Sequence, residues 1–476
     1  MMSLSSLVYI IFLLVVFVLY YALPHRFRWV LLLVASYFFY LTWQPLYALL
    51  LLSSTGVAYA FGRMLRSKDR RGLLILGIAL LLLPLFFFKY YAFLNQNLSL
   101  VMATVGWVNF LPGYSFLLPV GISFYTFQAI SYLVDVWRGY LKPEKHFGLF
   151  ALYLAFFPTL SAGPIERAKS MLGQFKTPQV FRYDEAVAGL QLIGWGLFKK
   201  LVIANHIVGL IDPVFAQPDA YGGLLLYLTL ILSPFQIFCD FSGYSDIAIG
   251  SGRLLGIRLT KNFDDRVYAA TSRIQFWQGW HKSLTTWFRD YVYFPLGKRM
   301  PTRRGLYLTL LIVYFLTGLW HGASWGFILW GLTNGIWLVG EHWSKERRKA
   351  VFSRIWPDLN APLHRLLSTL LVFHVGAMMG VFLRTQTFAG AMVYYRQLFA
   401  WPNGSLNGEW GYVKPVLIFV GILVMDGVNR WLDGREISDL LATRAPLWRW
   451  SFYIALCVLI LTLSRTDRLD FFYYQF

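Results

Sequence analysis

Residues 7–23 read LVYIIFLLVVFVLYYAL, an apolar run that contains no charged side chain. No basic segment precedes this run, and Tyr20, Tyr21 and Leu23 are too bulky for the small-residue cleavage site of a signal peptide. The run therefore predicts a membrane helix that is retained in the mature chain. This apolar run indicates the class of fold, because similar apolar runs recur along the rest of the chain.

Apolar runs of the same kind recur to the far end of the chain. They lie at residues 29–61, 73–93, 117–136, 147–160, 186–210, 224–241, 306–319, 325–339, 366–383, 416–428 and 450–463. A helix that spans a bilayer needs about 20 apolar residues, so we expect the shorter runs to be tilted, broken or re-entrant. We predict an all-α integral membrane protein with roughly ten to twelve membrane-inserted helices. No long polar linker divides the chain, so residues 1–476 are predicted to form a single polytopic membrane domain.

The composition agrees with a membrane protein. Apolar residues make up 57% of the chain and charged residues only 14%, whereas a soluble domain carries about 25% charged residues. The 19 Trp and 29 Tyr residues are types that concentrate at membrane interfaces. Cys239 and Cys457 lie inside apolar runs and form no CxxC pair, which argues against a disulfide scaffold or a cysteine metal site.

The formal net charge of +20 is concentrated in short basic clusters between the apolar runs. These clusters lie at residues 63–71, 298–304 and 345–354, whereas the loop at residues 94–115 contains no charged residue. Basic loops tend to face the cytoplasm and its anionic lipids, so we expect the uncharged loop to lie outside. The pattern predicts membrane lipids as partners and argues against nucleic-acid binding.

The segment at residues 253–304 differs from the apolar runs. Its charged side chains are interleaved with Trp277, Trp280 and Trp287, and such a stretch is too polar to face lipid. We predict amphipathic helices and re-entrant turns that line a cavity on the cytoplasmic side. Many transporters are built from internal repeats, and no such repeat is apparent here.

His321 lies between two strongly apolar runs, in the sequence Gly318-Leu-Trp-His-Gly322. An ionisable residue at membrane depth is costly and usually lines a functional cavity. Since histidine accepts a proton near neutral pH, His321 is a candidate to activate a hydroxyl group. The two glycines allow close approach of backbone or substrate. The alternative is a structural histidine that bonds to a neighbouring helix.

His281 lies 40 positions before His321 and is flanked by Trp277 and Trp280. A second histidine can orient the first, polarise a thioester carbonyl or bind the acceptor. The two tryptophans are candidates to stack on an adenine ring or a sugar, and interface anchoring explains them equally well.

A polar cluster interrupts the apolar run that ends near residue 241. Asp240 and Tyr244 share a helix face at i, i+4 spacing, and a buried carboxylate there needs a partner, for which Arg or Tyr is expected. Arg289 is a further candidate for substrate binding, although a pair with a neighbouring helix explains it as well. The remaining histidines lack the helical HxxxH spacing of a zinc site, so no metal site is predicted.

Several longer motifs occur together and in a fixed order. They are LPVGISFYTF (118–127), GPIER (163–167), DFSGYSD (240–246), FWQGWHKSLTTWFRDYVYFPLG (276–297) and TGLWHGASWGFILWG (317–331). In this order they closely resemble the membrane-bound O-acyltransferase family, and best its bacterial branch, typified by the membrane subunit of alginate O-acetylation. The resemblance is firm over about 118–331, and the aromatic end at residues 471–476 also looks like that branch.

The resemblance implies a bundle of tilted helices around a central funnel, with a catalytic histidine near its base. The family's near-invariant histidine falls on His321, and its second histidine or asparagine falls on His281. The implied donor is acetyl-CoA or a similar cytosolic thioester, used as a substrate and not as a bound cofactor. The implied location is the bacterial inner membrane, with a periplasmic SGNH-type acetyltransferase and polysaccharide synthesis machinery as partners.

The leading hypothesis is therefore an acyltransferase that carries an acetyl group across the membrane for O-acetylation of an exported polysaccharide. The basic residues Lys261, Arg266, Arg273 and Lys298 are candidates to attract the phosphates of coenzyme A, although lipid headgroups explain the same charges. An alternative within the same chemistry is a lipid, protein or teichoic-acid-like acceptor. An alternative from another class is a solute transporter, which would show flux without consuming a thioester.

Overall fold

The computed structural model describes residues 2–65, 69–114, 117–264, 266–355, 361–403 and 437–465. These residues are mainly helical, and none of them forms a strand. The all-α membrane class predicted from the apolar runs is confirmed. The predicted run at residues 416–428 and the aromatic end at residues 471–476 lie outside the described residues.

The described part of the chain consists of successive α-helices. The α-helices are α1 (Leu7–Ala22), α2 (His25–Leu41), α3 (Tyr47–Met64), α4 (Arg71–Leu85), α5 (Tyr91–Thr104), α6 (Ile122–Arg138), α7 (Phe147–Ala155), α8 (Phe157–Leu160), α9 (Ala168–Lys176), α10 (Tyr183–Leu197), α11 (Asn205–Ala216), α12 (Gly223–Leu254), α13 (Arg273–Gly279), α14 (Lys282–Phe288), α15 (Phe294–Arg299), α16 (Arg303–His321), α17 (Trp325–Ile355), α18 (Pro362–Thr385), α19 (Phe388–Ala400), α20 (Ile437–Ala442) and α21 (Pro446–Leu463). Turns of π-helix at Phe86–Tyr90, Phe198–Ala204 and Arg289–Tyr293 join consecutive α-helices.

Five helical stretches in the described part of the chain are long and apolar enough to cross a membrane. They are Arg71–Thr104, Tyr183–Ala216, Gly223–Leu254, Pro362–Thr385 and Pro446–Leu463, and α1 is a shorter apolar helix. These helices make the chain a multi-pass membrane protein. The total of ten to twelve inserted helices and the central funnel stay predictions.

The apolar run at residues 29–61 is divided into two helices in the structure. Helix α2 ends at Leu41 and α3 begins at Tyr47, with Pro45 in the turn between them. A proline disfavours the helical conformation in the residue before it, and this accounts for the break. The division shows why a long apolar run need not be one helix.

The chain folds into two compact units. The first comprises Met1–Ile193, Tyr244–Thr260 and Leu469–Phe476, the last of which lies outside the described residues. In its core the ring of Tyr9 contacts Phe39, and the Tyr9 hydroxyl donates a hydrogen bond of 2.8 Å to Ser251 Oγ. The carboxylate of Glu166 accepts the backbone N–H and the hydroxyl of Thr260, at 2.5 Å and 3.1 Å. The GPIER motif thus fixes a loop in this unit.

The second unit comprises Gly194–Gly243 and Lys261–Arg468. Helices α16 and α17 form its central hairpin, and α13 is attached to α17 through Arg273. The backbone N–H of Arg273 donates to Glu341 at 2.7 Å, and its guanidinium donates to Asn334 Oδ1 at 2.9 Å and 2.6 Å. Arg273, a predicted attractor of phosphate, is therefore buried in the helix packing and does not face a soluble ligand.

Candidate functional site

His321 is the last residue of α16, at the turn of the α16–α17 hairpin in the second unit. Its side chain is buried, with 4% of the residue exposed. The imidazole stands edge-on to the ring of Trp330 on α17, with the ring centroids 4.8 Å apart. It also contacts the ring of Trp320, at 5.0 Å. The hairpin thus places an ionisable ring in an aromatic and water-poor environment.

Two glycines let the hairpin helices approach each other closely. A Cβ atom on Gly318 would lie 2.4 Å from the carbonyl oxygen of Phe327, and one on Gly331 would lie 2.3 Å from the carbonyl oxygen of Tyr314. Cβ atoms do not come so near to backbone atoms in real structures. The close backbone approach predicted at Gly318 is therefore present, and it joins helix to helix next to His321.

His281 lies at the start of α14 with φ +42°, in the left-handed region that non-glycine residues seldom adopt. Its carbonyl oxygen accepts the backbone N–H groups of Leu284 and Thr285. Strained backbone of this kind costs about 1–3 kcal/mol and concentrates at functional sites. Only 1% of His281 is exposed. The residues packed around it therefore hold the backbone in this conformation.

The aromatic ring of Trp320 contacts both candidate histidines. Its centroid lies 5.8 Å from that of His281 and 5.0 Å from that of His321. His281 also stands edge-on to Phe241, with the ring centroids 4.5 Å apart. The structure thus gathers two residues that are 40 positions apart in the sequence around one indole ring. Burial away from water lowers the pKa of His281 to about 3, so its imidazole is neutral.

The two predicted stacking residues, Trp277 and Trp280, are both buried. Trp277 packs between Tyr314 and Trp330, with centroid distances of 5.3 Å and 5.9 Å. Trp280 stacks on Phe276, at 5.4 Å. Trp277 therefore belongs to the same aromatic group as His321, through Trp330, whereas Trp280 is part of the packing of α13.

A cavity of about 140 Å³ lies beside this aromatic group. Its lining includes Trp277, Arg289, Tyr314 and Thr317, and Thr317 lies one helical turn before His321 on α16. An engineered cavity of about 150 Å³ in another protein holds one benzene molecule, so this space suits a short acyl group. Arg289 borders the cavity and pairs with its sequence neighbour Asp290, at 2.8 Å.

Asp240 is buried in the second unit and forms an ion pair with Lys200. Both side chains are only 2% exposed. The partner was expected to be Arg or Tyr; the ion-pair partner is a lysine, and Arg384 also interacts electrostatically with Asp240. The hydroxyl of Tyr244 instead lies 3.2 Å from Ser161 Oγ, within the first unit.

Lys200 and Arg384 are buried charges that the sequence pattern did not predict. Lys200 belongs to the π-helical turn at Phe198–Ala204, within a run that was counted as apolar. Arg384 donates to Ser233 Oγ at 3.1 Å and also to Gln236. Two adjacent lysines inside this apolar run were the sequence feature that could have predicted a buried charge at Lys200. In the described ranges, no group of three His, Cys, Asp or Glu side chains could hold a metal ion.

Comparison with known sequences agrees with the motifs. The sequence model of the membrane-bound O-acyltransferase family matches residues 145–383, a range that contains both candidate histidines. The chain is 36% identical to the probable alginate O-acetylase of Pseudomonas aeruginosa, over 89% of this chain and 80% of that protein. It is also 32% identical to the peptidoglycan O-acetyltransferase of Helicobacter pylori, over 76% of this chain and 72% of that protein.

A third relative transfers a different acyl group. The chain is 30% identical to the teichoic acid D-alanyltransferase of Streptococcus thermophilus, over 66% of this chain and 74% of that protein. The three names describe acyl transfer, with alginate, peptidoglycan and teichoic acid as the acceptors. These comparisons favour the transferase hypothesis over the solute transporter.

Proposed function

Because the chain belongs to the membrane-bound O-acyltransferase family and is an O-acyltransferase, we propose that it carries acetyl groups from a cytosolic thioester towards an exported polysaccharide. The thioester is acetyl-CoA or a close analogue, which acts as a substrate. The proposed location is the bacterial inner membrane. The observation that carries the proposal is the position of His321, buried at the hairpin turn one helical turn from a cavity of about 140 Å³.

In the proposed reaction His321 is the catalytic base. Its imidazole takes the proton of the acceptor hydroxyl, the oxygen attacks the thioester carbonyl carbon, and the carbon–sulfur bond breaks. The thiolate then receives the proton from the imidazolium, so the histidine returns to its starting state. A covalent relay through the same ring is the alternative route. Burial of the site limits hydrolysis of the thioester by water.

His281 is proposed to support this step by hydrogen bonding as a neutral ring. We expect His281→Ala to lower kcat less than the 10²- to 10⁴-fold range typical of a general base. His281→Asn is expected to retain more activity, because asparagine tolerates the left-handed backbone at this position. Since the pKa of His281 is about 3, the pH–rate profile of His281→Asn from pH 5 to 8 should match that of the unmodified protein.

A double variant shows whether His281 and His321 act in one step or in two independent steps. Residues that act as one unit have non-additive effects, so His281→Ala combined with His321→Ala should lose little more than His321→Ala alone. The measurement is thioester consumption by purified protein. If the two losses multiply, the histidines act in separate steps and the supporting role is wrong.

A partner is proposed to complete the reaction outside the membrane. The predicted external loop at 94–115 is helical up to Thr104 in the structure, and the residues that follow expose aromatic side chains such as Trp107, Phe110 and Tyr114. The whole loop has no histidine or cysteine for a transfer centre. These rings provide a docking edge for an SGNH-type acetyltransferase, which would receive the acetyl group. They also suit anchoring at the membrane interface.

Reconstitution in liposomes tests the proposed function. Acetyl-CoA is placed on the side of the basic loops and the polymer on the other side, with and without the partner. We expect the polymer to be acetylated only when both proteins are present. Full acetylation by this chain alone would exclude the two-component scheme. Use of a D-alanyl thioester in place of acetyl-CoA would support instead the activity named for the Streptococcus thermophilus relative.

A further inference from the structure

A second, larger cavity of about 940 Å³ lies in the second unit, between the later part of α17 and the beginning of α18. We propose that it binds the headgroup of an anionic phospholipid. The residues that support such a site are Trp337, Trp343, Lys345, Arg348, Arg365 and Leu371, all of which line the cavity. The lipid site is independent of the proposed reaction, because it involves none of the residues around His321.

The charge of the cavity favours an anion. Lys345, Arg348 and Arg365 line it, together with Glu341 as the acidic lining residue. The carboxylate of Glu341 is already engaged, because it accepts the Trp337 indole N–H at 2.7 Å and the backbone N–H of Arg273 at 2.7 Å. Among the described residues that line the cavity, the three basic side chains therefore exceed the acidic charge, and Glu341 is committed to helix packing.

The surroundings of the cavity favour a lipid over a soluble anion. Leu371 lines the cavity and is 59% exposed, and it belongs to α18, one of the candidate membrane spans. Leu367 and Leu370 are also exposed on this helix. An acyl chain can lie along these leucines while its headgroup occupies the basic cavity, as basic pockets between membrane helices bind cardiolipin. A free nucleotide has no acyl chain to place along this apolar wall.

The tryptophans are consistent with a position at the membrane surface. Trp343 is exposed and carries the guanidinium of Arg347 over its ring, 5.0 Å from the centroid. Tryptophan concentrates at the headgroup level of a bilayer because its ring is amphipathic. The basic residues at 345–354 were predicted to face the cytoplasm, where anionic lipids concentrate. The cavity thus lies where such a headgroup is available.

The test titrates the purified full chain in detergent with cardiolipin and follows the Tm, which rises when a ligand binds the folded state. Phosphatidylcholine serves as the zwitterionic comparison. We expect cardiolipin to raise the Tm more than phosphatidylcholine does. Each basic residue removed should weaken cardiolipin binding about fivefold, so Lys345→Gln with Arg365→Gln should weaken it about 25-fold. The control is Lys298→Gln with Arg299→Gln, which removes two exposed basic residues outside the cavity.

Three results would overturn a lipid site at this cavity. The first is equal binding by the cavity variant and the control variant, and the second is an equal response to the two lipids. The third is displacement of cardiolipin by 3′,5′-ADP, the phosphate-rich part of coenzyme A, which would assign the cavity to a nucleotide instead. If the double variant has a lower Tm without lipid, Arg365→Gln alone is measured, and it must still bind cardiolipin about fivefold more weakly.

Discussion

His321→Ala is expected to lower the rate of acyl transfer by about 10²- to 10⁴-fold while the protein remains folded. The physical reason is that the imidazole is the proposed acceptor for the hydroxyl proton, and alanine cannot take a proton. The imidazole is held against Trp330 at the hairpin turn and is buried, so bulk water is a poor substitute for it. The measurement is kcat for thioester consumption by purified protein, together with its Tm.

The matched control is His342→Ala. His342 lies on α17, in the same hairpin, and its Nδ1 is 2.9 Å from the carbonyl oxygen of Leu338 in the preceding turn. We expect this variant to keep near-normal activity. More than half of the normal activity in His321→Ala would exclude the proposed base. A large loss of folded protein with unchanged activity per folded molecule would assign His321 a structural role.

The second large effect is expected at the buried ion pair of Lys200 and Asp240. Removing one partner of a buried pair leaves an uncompensated charge and typically costs about 3–5 kcal/mol. Lys200→Met should therefore lower the free energy of unfolding by about this amount. The effect is large because both side chains are only 2% exposed. The measurement is reversible unfolding of the purified protein in mixed micelles.

A double variant shows whether the loss comes from the unpaired charge. Lys200→Met combined with Asp240→Leu removes both charges and should recover most of the stability, because an apolar pair of similar volume is often as stable. Arg258→Gln is the control. Arg258 pairs with Glu185 at 3.1 Å but is 75% exposed, and exposed pairs contribute about 0–1 kcal/mol. Additive losses in the double variant would show that the pair is not the cause.

The class of fold followed from the sequence because membrane helices are long apolar runs. The same reasoning flagged His321 and Asp240, since a polar side chain in such a run is expensive and needs a function or a partner. It did not find the partner of Asp240, because Lys200 is 40 positions away and lies in a π-helical turn. A pattern with a period of 3.6 residues does not reveal where such a turn occurs.

The tryptophans of the segment 276–297 show a second limit of sequence reasoning. Their spacing near His281 is equally compatible with ligand stacking, membrane anchoring and internal packing. The structure assigns Trp280 to internal packing on Phe276, and places Trp277 beside the small cavity. Trp277 differs from Trp280 because it contacts Tyr314 and Trp330. Both partners belong to helices that are distant from Trp277 in the sequence. Pairwise packing between remote elements is not encoded in local spacing.

The glycine contacts of the α16–α17 hairpin restrict how this enzyme can change during evolution. Gly318 and Gly331 hold backbone against backbone, so even a single added methyl group would push the two helices apart and carry His321 with them. Leu310 and Val313 border the small cavity with their side chains, whereas the two glycines join the helices through their backbone. We expect new substrate preferences to arise by substitution at Leu310 and Val313, while Gly318 and Gly331 stay unchanged.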